Sequence, residues 1–350
     1  MTRLNTKTLK LKISENKSQV FQHIFFIKAA LAAFFLLGAC SGKQYLQLSG
    51  ETMGTTYHIT YEGDKPESTK KDVDQLLLEI NNSLSTYIPT STISKINDNS
   101  STEIDAHFET VFNKAKKIYT LTEGAFDPTI GPIVNAWGFG FEHLDHVDSS
   151  TIDSLMQYVG FDKVTIQSGS LRKTSPGIVL DFSAIAKGYG VDQVAKLLAS
   201  KGAENYMVEI GGEVVVKGHA SRKNDWALGI NMPLEGADGL FAVAQVNDIA
   251  LATSGNYRNF RLVDGKKYVH TIDPSTGYSA MSSLLSASIF AEDCATADGL
   301  ATACMVLGTE KTIELSKQAN LEVYLIYLND KNEMDFYRTE SLLDKVKTAL

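Results

Sequence analysis

The sequence predicts an α+β fold in two lobes. Two observations carry it. Apolar residues recur at helical spacing through the first half, and short alternating strands fill much of the second, separated by tight Gly and Asn/Asp turns. No internal repeat or low-complexity segment interrupts this order.

The elements follow from local pattern. In Thr55–Tyr61, "TTYHITY", Tyr57, Ile59 and Tyr61 share one face, as in a strand. Val73, Leu76, Leu77, Ile80 and Leu84 fall on one helical stripe. A second helix is expected at about 108–121, with Val111, Phe112, Ala115 and Ile118 inward. Residues 123–140 are rich in Gly and Pro and read as a shaped loop. Ile178–Leu180 is expected as a strand, running through "DFSAIAKGYGVD" into a helix marked by Val191, Val194, Ala195 and Leu198 and stopped at Gly202. Strands are expected at 205–210, 213–217, 226–231, 241–246, 249–253, 257–263 and 267–272. A strand at 285–290, helices at 293–307 and 311–319, and a strand at 321–327 complete the chain.

The first 39 residues read as an export signal rather than part of the fold. Six basic residues precede the apolar run Ala29–Leu37, which is too short for a comfortable membrane span. Leu37-Gly38-Ala39-Cys40 is similar to a bacterial lipobox, which implies cleavage before Cys40 and a lipid on its sulfur. Residues 40–46 then form a tether, and 47–345 the working domain. The resulting localisation is the cell envelope, lipid-anchored and facing the periplasm. The 350-residue chain has a formal net charge of −8. The leader carries six bases and one acid, so its removal leaves −13, which argues against nonspecific nucleic-acid binding. Any polyanionic ligand then needs a local cation or a metal. Cys294 and Cys304 fall on one predicted helix. Ten residues of helix span about 15 Å, too far for a disulfide, so both are expected as buried thiols.

Several constellations could carry chemistry. Lys187 stands in a first helical turn, where anions rather than cations are favoured, a placement that makes sense if it helps hold a bound anion. Asp298 and Thr302 in "CATADGLATACMVLG" are four residues apart, so they share a helix face. Their oxygens suit Mg²⁺, although a helix-packing polar pair has the same spacing. His270 ends a strand beside a turn bearing Asp273, Ser275 and Thr276, and is the candidate general base with Asp273 second. Gly211-Gly212 fits either a hairpin turn or close approach to a ligand. Phe126, Asp127, Trp137 and Phe139 could wall a core loop or a flat ring. Neither a P-loop, a dinucleotide fingerprint, a nucleophile elbow nor zinc-ligand spacing is present.

The stretches "ETMGTTYHI" (51–59), "GAFDPTIGPIVNAWGFG" (124–140), "DFSAIAKGYGVD" (181–192), "VEIGGEV" (208–214), "ATSGNYRNF" (252–260), "HTIDPSTGY" (270–278) and "ATADGLATACMVLG" (295–308) together resemble the bacterial FAD:protein FMN transferases, the ApbE type. They span nearly all of the chain beyond the leader. The resemblance implies mixed and antiparallel sheets flanked by helices. It implies an enzyme that binds FAD and Mg²⁺, moves FMN onto a threonine or serine of a partner, and releases AMP. The partners implied are flavin-acceptor subunits of membrane redox complexes, of the NADH:quinone reductase or Rnf type. Their acceptor site resembles Asp-Gly-x-x-[Ser/Thr]-Gly-Ala-[Ser/Thr], which this chain lacks, so it should be the donor enzyme. By the same resemblance Asp181 and Lys187 contact FAD. The Ala184 carbonyl joins Asp298 and Thr302 as a metal ligand. Met53, Tyr87, Ala125, Phe126 and Asp127 contact the flavin, and Ile272 lines its pocket. The alternatives are an Mg²⁺-dependent FAD pyrophosphatase giving FMN and AMP, and a flavin-binding lipoprotein without chemistry.

Overall fold

Alternating side chains that are apolar on both faces define the main sheet. Along Leu284–Ala291, Ala287 and Ile289 enter one core while Phe290 enters another; along Glu322–Leu328, Val323 and Leu325 oppose Tyr324 and Ile326. Such strands must be covered on both sides. They lie in an eight-stranded sheet, in the order Gln44–Thr52, Thr55–Gly63, Tyr206–Ile210, Glu213–Lys217, Ile249–Gly255, Leu284–Ala291, Glu322–Leu328 and Met334–Arg338. From Thr55–Gly63 onward each neighbouring pair is antiparallel. The helices Pro66–Leu84, Ala106–Leu121, Ser183–Ser200 and Cys294–Gln318 supply the core on one face. The three-stranded sheet formed by Trp226–Asn231, Leu240–Val246 and Val346–Thr348 covers the other. The α+β expectation therefore takes a three-layer form.

The computed structural model describes residues 44–139, 148–234, 236–237, 239–256, 260–263, 266–269, 271–280 and 282–349. The leader at 1–39, Cys40 and His270 lie outside the described residues. Tyr45–Leu350 is one compact unit. Among the described residues no helix is long and apolar enough to cross a membrane. Pairing begins at Gln44, within the stretch expected as a tether, and the last strand runs past 345 because Val346 is buried against the three-stranded sheet.

One expectation is corrected. Ile178–Leu180 is not a strand. Ile178 and Leu180 are buried, but the backbone of Leu180 pairs with the amide of Asn97, donating to Oδ1 and accepting from Nδ2 at 2.8 Å each. A side chain takes the place of a sheet neighbour. The two C-terminal helices stand as expected: within Cys294–Gln318 the backbone leaves the helical region at Gly308, with φ +76°, and divides the run in two. Cys294 and Cys304 are both free and buried.

The helices Ser183–Ser200 and Cys294–Gln318 approach each other at Gly188. A Cβ there would lie 2.3 Å from the Cys294 carbonyl oxygen and 2.9 Å from the Ala295 Cα. Those contacts are backbone and cannot swing aside, so only glycine permits this separation. Asp192, one turn on, then accepts the Cys294 and Ala295 amides at 2.8 and 3.0 Å, and Asp293 accepts that of Thr296 at 2.8 Å. Three otherwise unpaired donors of the helix N-terminus are satisfied in this way. Gly188→Ala is expected to force the helices apart and destabilise the protein by about 1–3 kcal/mol, the usual range for overpacking. The midpoint of urea unfolding measures it.

Candidate active site

A cavity of about 750 Å³ opens where these two helices meet the ends of the central strands. Its wall includes Tyr87, Ala125, Phe126, Asp127, Asp181, Ala184, Lys187, Ile272, Asp298 and Thr302, all singled out in the sequence. Two others stand apart from the lining. Met53 is in the turn between the first two strands, with φ +51°, and its side chain lies over Gly190. Asp273 builds the turn after Ile272, its Oδ1 accepting from the Ser275 amide and hydroxyl at 2.8 and 2.7 Å.

The floor is a cluster of charge. Asp298 is 3% exposed, and its Oδ2 accepts the Gly188 amide at 3.0 Å. In a regular helix that amide turns back to the carbonyl of Ala184. The Lys187 ammonium lies 3.8 Å from Asp298 Oδ1 and 3.4 Å from Glu213 Oε1. Glu213 is 5% exposed, and its Oε2 is buried with no hydrogen-bond partner. Burial, and after it the Asp298 charge, push Glu213 up to about 8, with Lys187 pulling the other way. Burial likewise raises Asp298. For Lys187 burial opposes the charge, but Asp298 and Glu213 outweigh it and hold the ammonium above the ordinary lysine range. Two buried carboxylates thus face one ammonium.

The donor set fits a small, hard divalent cation. Thr302 lies one helical turn from Asp298, its hydroxyl 3.4 Å from that of Ser254. A carboxylate, a hydroxyl and the nearby Ala184 carbonyl are oxygen donors of the kind Mg²⁺ takes, with water and substrate completing the shell. Among the described residues no group of three or more His, Cys, Asp or Glu side chains could hold a metal by itself.

The walls are held by hydrogen bonds within the loops. Asp127 caps the short turn Pro128–Ile130, its Oδ1 accepting from the Thr129 amide and hydroxyl at 2.8 and 2.6 Å. Its Oδ2 accepts the Phe161 amide at 3.1 Å, so its carboxylate is committed to the loop. Asp181 accepts from the Ser183 amide at 2.7 Å and fixes the entry to the lysine helix. Trp137 donates through Nε1 to the Gly277 carbonyl at 2.9 Å, tying the Gly/Pro-rich loop to the turn after Ile272. Beneath them Ile272 packs with Ile133, Ile152 and Val159.

Glu213 was missed in the sequence because Gly211-Gly212 explained "EIGGEV" as a hairpin turn. The available signal was an acid on the helix-facing side of a strand whose next residue on that side is Val215. Asp192 was missed as well. It closes the motif at Asp181–Asp192, but its work is across the helix interface and invisible to local spacing.

The ApbE family model matches residues 53–325. The chain is similar to the FAD:protein FMN transferase of Haemophilus influenzae, with 40% identity over 319 residues, covering 86% of this chain and 92% of the relative. Similarity to the FAD:protein FMN transferase of Vibrio cholerae is 39% over 311 residues, covering 86% and 93%. Among solved structures, the flavin transferase ApbE from Vibrio cholerae superposes with a TM-score of 0.79 at 36% identity, covering 87% of this chain and 99% of that one. The apo Pseudomonas stutzeri flavinyl transferase ApbE gives 0.79 at 27% identity, covering 87% and 97%.

The charge cluster makes a pH prediction. Folded, Glu213 keeps its proton to about 8, against an ordinary 4.5. The folded form is then favoured most below the unfolded value, and that advantage drains away as pH rises toward the folded one. With a chelator present, the melting temperature should fall between about pH 5 and 8, and the slope should flatten in Glu213→Gln. Scanning fluorimetry across that range measures both.

Proposed function

The chain belongs to the ApbE family, and we propose that it moves the FMN half of FAD onto a threonine or serine hydroxyl of a partner protein, with release of AMP. Transfer of FMN from FAD to a protein is its enzymatic reaction. The observation that carries the finer reading is the Lys187 ammonium beside the buried Asp298 and Glu213 at the floor of a pocket large enough for a nucleotide.

In this reading the acceptor hydroxyl attacks the phosphorus of the FMN half. The new P–O bond forms as the bond from that phosphorus to the bridging oxygen breaks, and AMP leaves with the bridging oxygen. Lys187 stabilises the charge that grows on the diphosphate. Asp298, Thr302 and the Ala184 carbonyl would hold Mg²⁺, which supplies Lewis-acid neutralisation of the diphosphate when bound. The acceptor proton goes to His270, with Asp273 second in line. Ala125, Phe126, Asp127 and Ile272 form the wall for the isoalloxazine. Tyr87 stands at the exposed mouth, where it can cover a bound ring. Met53 acts from behind the lysine helix, and Asp181 orients the entry to that helix.

The surroundings of the reaction belong to the same proposal. Leu37-Gly38-Ala39-Cys40 supports export and a lipid on Cys40, which would anchor the enzyme to the membrane facing the periplasm. Its acceptors would be flavin-carrying subunits of membrane redox complexes such as NADH:quinone reductase or Rnf types. The absence of the acceptor pattern from this chain supports its role as donor enzyme.

Incubation with FAD, Mg²⁺ and an acceptor subunit, followed by a denaturing gel, should show flavin fluorescence on the acceptor band. Asp298→Ala should reduce the rate by at least about a hundred-fold while keeping a folded circular-dichroism spectrum. Rapid release of FMN and AMP without acceptor, and no labelled band with it, would assign the site to hydrolysis instead.

A further inference from the structure

Lys187 stands between its two acids without closing on either. A charge-assisted hydrogen bond to a carboxylate settles at about 2.7–2.9 Å, yet Lys187 Nζ is 3.4 Å from Glu213 and 3.8 Å from Asp298. Among the described residues these are its only acidic ion-pair partners.

The chain fixes each member of this trio separately. Asp298 is pinned by the Gly188 amide. Glu213 is the first residue of its strand and lies opposite Ile210 across the Gly211-Gly212 turn. Both glycines have positive φ, +62° and +108°, and Gly212 donates its amide to Glu209 at 2.6 Å. The lysine stem passes against the bare face of this turn. A Cβ on Gly211 would lie 3.3 Å from Lys187 Cδ and 2.8 Å from Thr55 Cγ2. The turn therefore admits the lysine stem while presenting the acid that draws its ammonium.

We propose that Glu213 is a positioning residue that holds the Lys187 ammonium off the Asp298 carboxylate and so keeps that carboxylate open to a divalent cation. This rests on the reading of Asp298 as a cation ligand. The attraction between the ammonium and Asp298 grows as their separation shrinks. Without the counter-pull of Glu213, the lysine closes on Asp298 and competes with the metal for it. Glu213 lines the same cavity, and its role in this proposal is to place the lysine rather than to bind the ion. It acts through the lysine.

A double-mutant cycle on the full-length protein tests this, with Mn²⁺ as probe and its electron paramagnetic resonance signal as readout, in the absence of FAD and acceptor. At about pH 8.5, where Glu213 carries its charge, Glu213→Gln should weaken Mn²⁺ binding about ten-fold or more. Lys187→Met should then strengthen binding at least about ten-fold more in the E213Q background than in wild type, a coupling typical of groups in direct contact. A merely structural role for Glu213 would weaken binding without recovery when the lysine is removed. Equal effects of Lys187→Met in the two backgrounds would overturn the proposal. Asp298→Ala tests the underlying reading separately: unchanged Mn²⁺ affinity in that variant would remove Asp298 as a ligand whatever the cycle gives. Melting temperatures check that each variant folds. Glu213→Asp, which keeps the charge and shortens the arm, replaces E213Q in the cycle if the latter does not.

Discussion

The site depends on one close approach, the lysine helix against the N-terminus of the Asp298 helix at Gly188. Because position 188 has no side chain, the two backbones come near enough for the Gly188 amide to reach Asp298 and for Asp192 to cap the facing helix. Lys187, beside that glycine, is delivered to the cavity floor by the same contact. The opposing strand brings Glu213 to the same point through a turn whose glycines leave room for the lysine stem. Packing, capping and the charge cluster are consequences of a single geometry.

This arrangement is costly for the fold alone. Buried carboxylates are expensive unless paired, and one ammonium compensates only one of the two acids, so Glu213 holds its proton to about 8. The buried Glu213 oxygen without a partner belongs to the same imbalance. Such unfavourable charge persists where a ligand relieves it, and the stability is supplied elsewhere. Here that reserve is the three-layer packing, with apolar side chains on both faces of the central strands. The loop hydrogen bonds of Asp127, Asp181 and Trp137 hold the walls in place around the floor.

Much of this was legible in the sequence, for reasons that differ by element. Glu213–Lys217 and Trp226–Asn231 have the predicted bounds because turn residues punctuate a period of two. The lysine helix ends before Gly202, which adopts φ +83°, as its position predicts. Ile178–Leu180 misled because a buried apolar tripeptide looks the same whether a strand or the Asn97 side chain pairs with it. The short helices Thr92–Asn97 and Gly131–Ala136 were not foreseen, since a turn or two of helix gives too little periodicity to detect. In the site, the motif at 181–192 announced Lys187, but Glu213 and Asp192 act across element boundaries. Their partners are 26 and about 100 residues away in sequence, and no local pattern connects them.

The central claim is that the junction at Gly188 builds a cation and diphosphate site around Asp298. Anomalous diffraction from a crystal soaked in Mn²⁺ tests it most directly. The account predicts a manganese peak bounded by the Asp298 carboxylate, the Thr302 hydroxyl and the Ala184 carbonyl, with Lys187 beside it but not liganding. A peak elsewhere in the cavity with Asp298 still paired to Lys187, or no peak at a concentration that supports transfer, would contradict it.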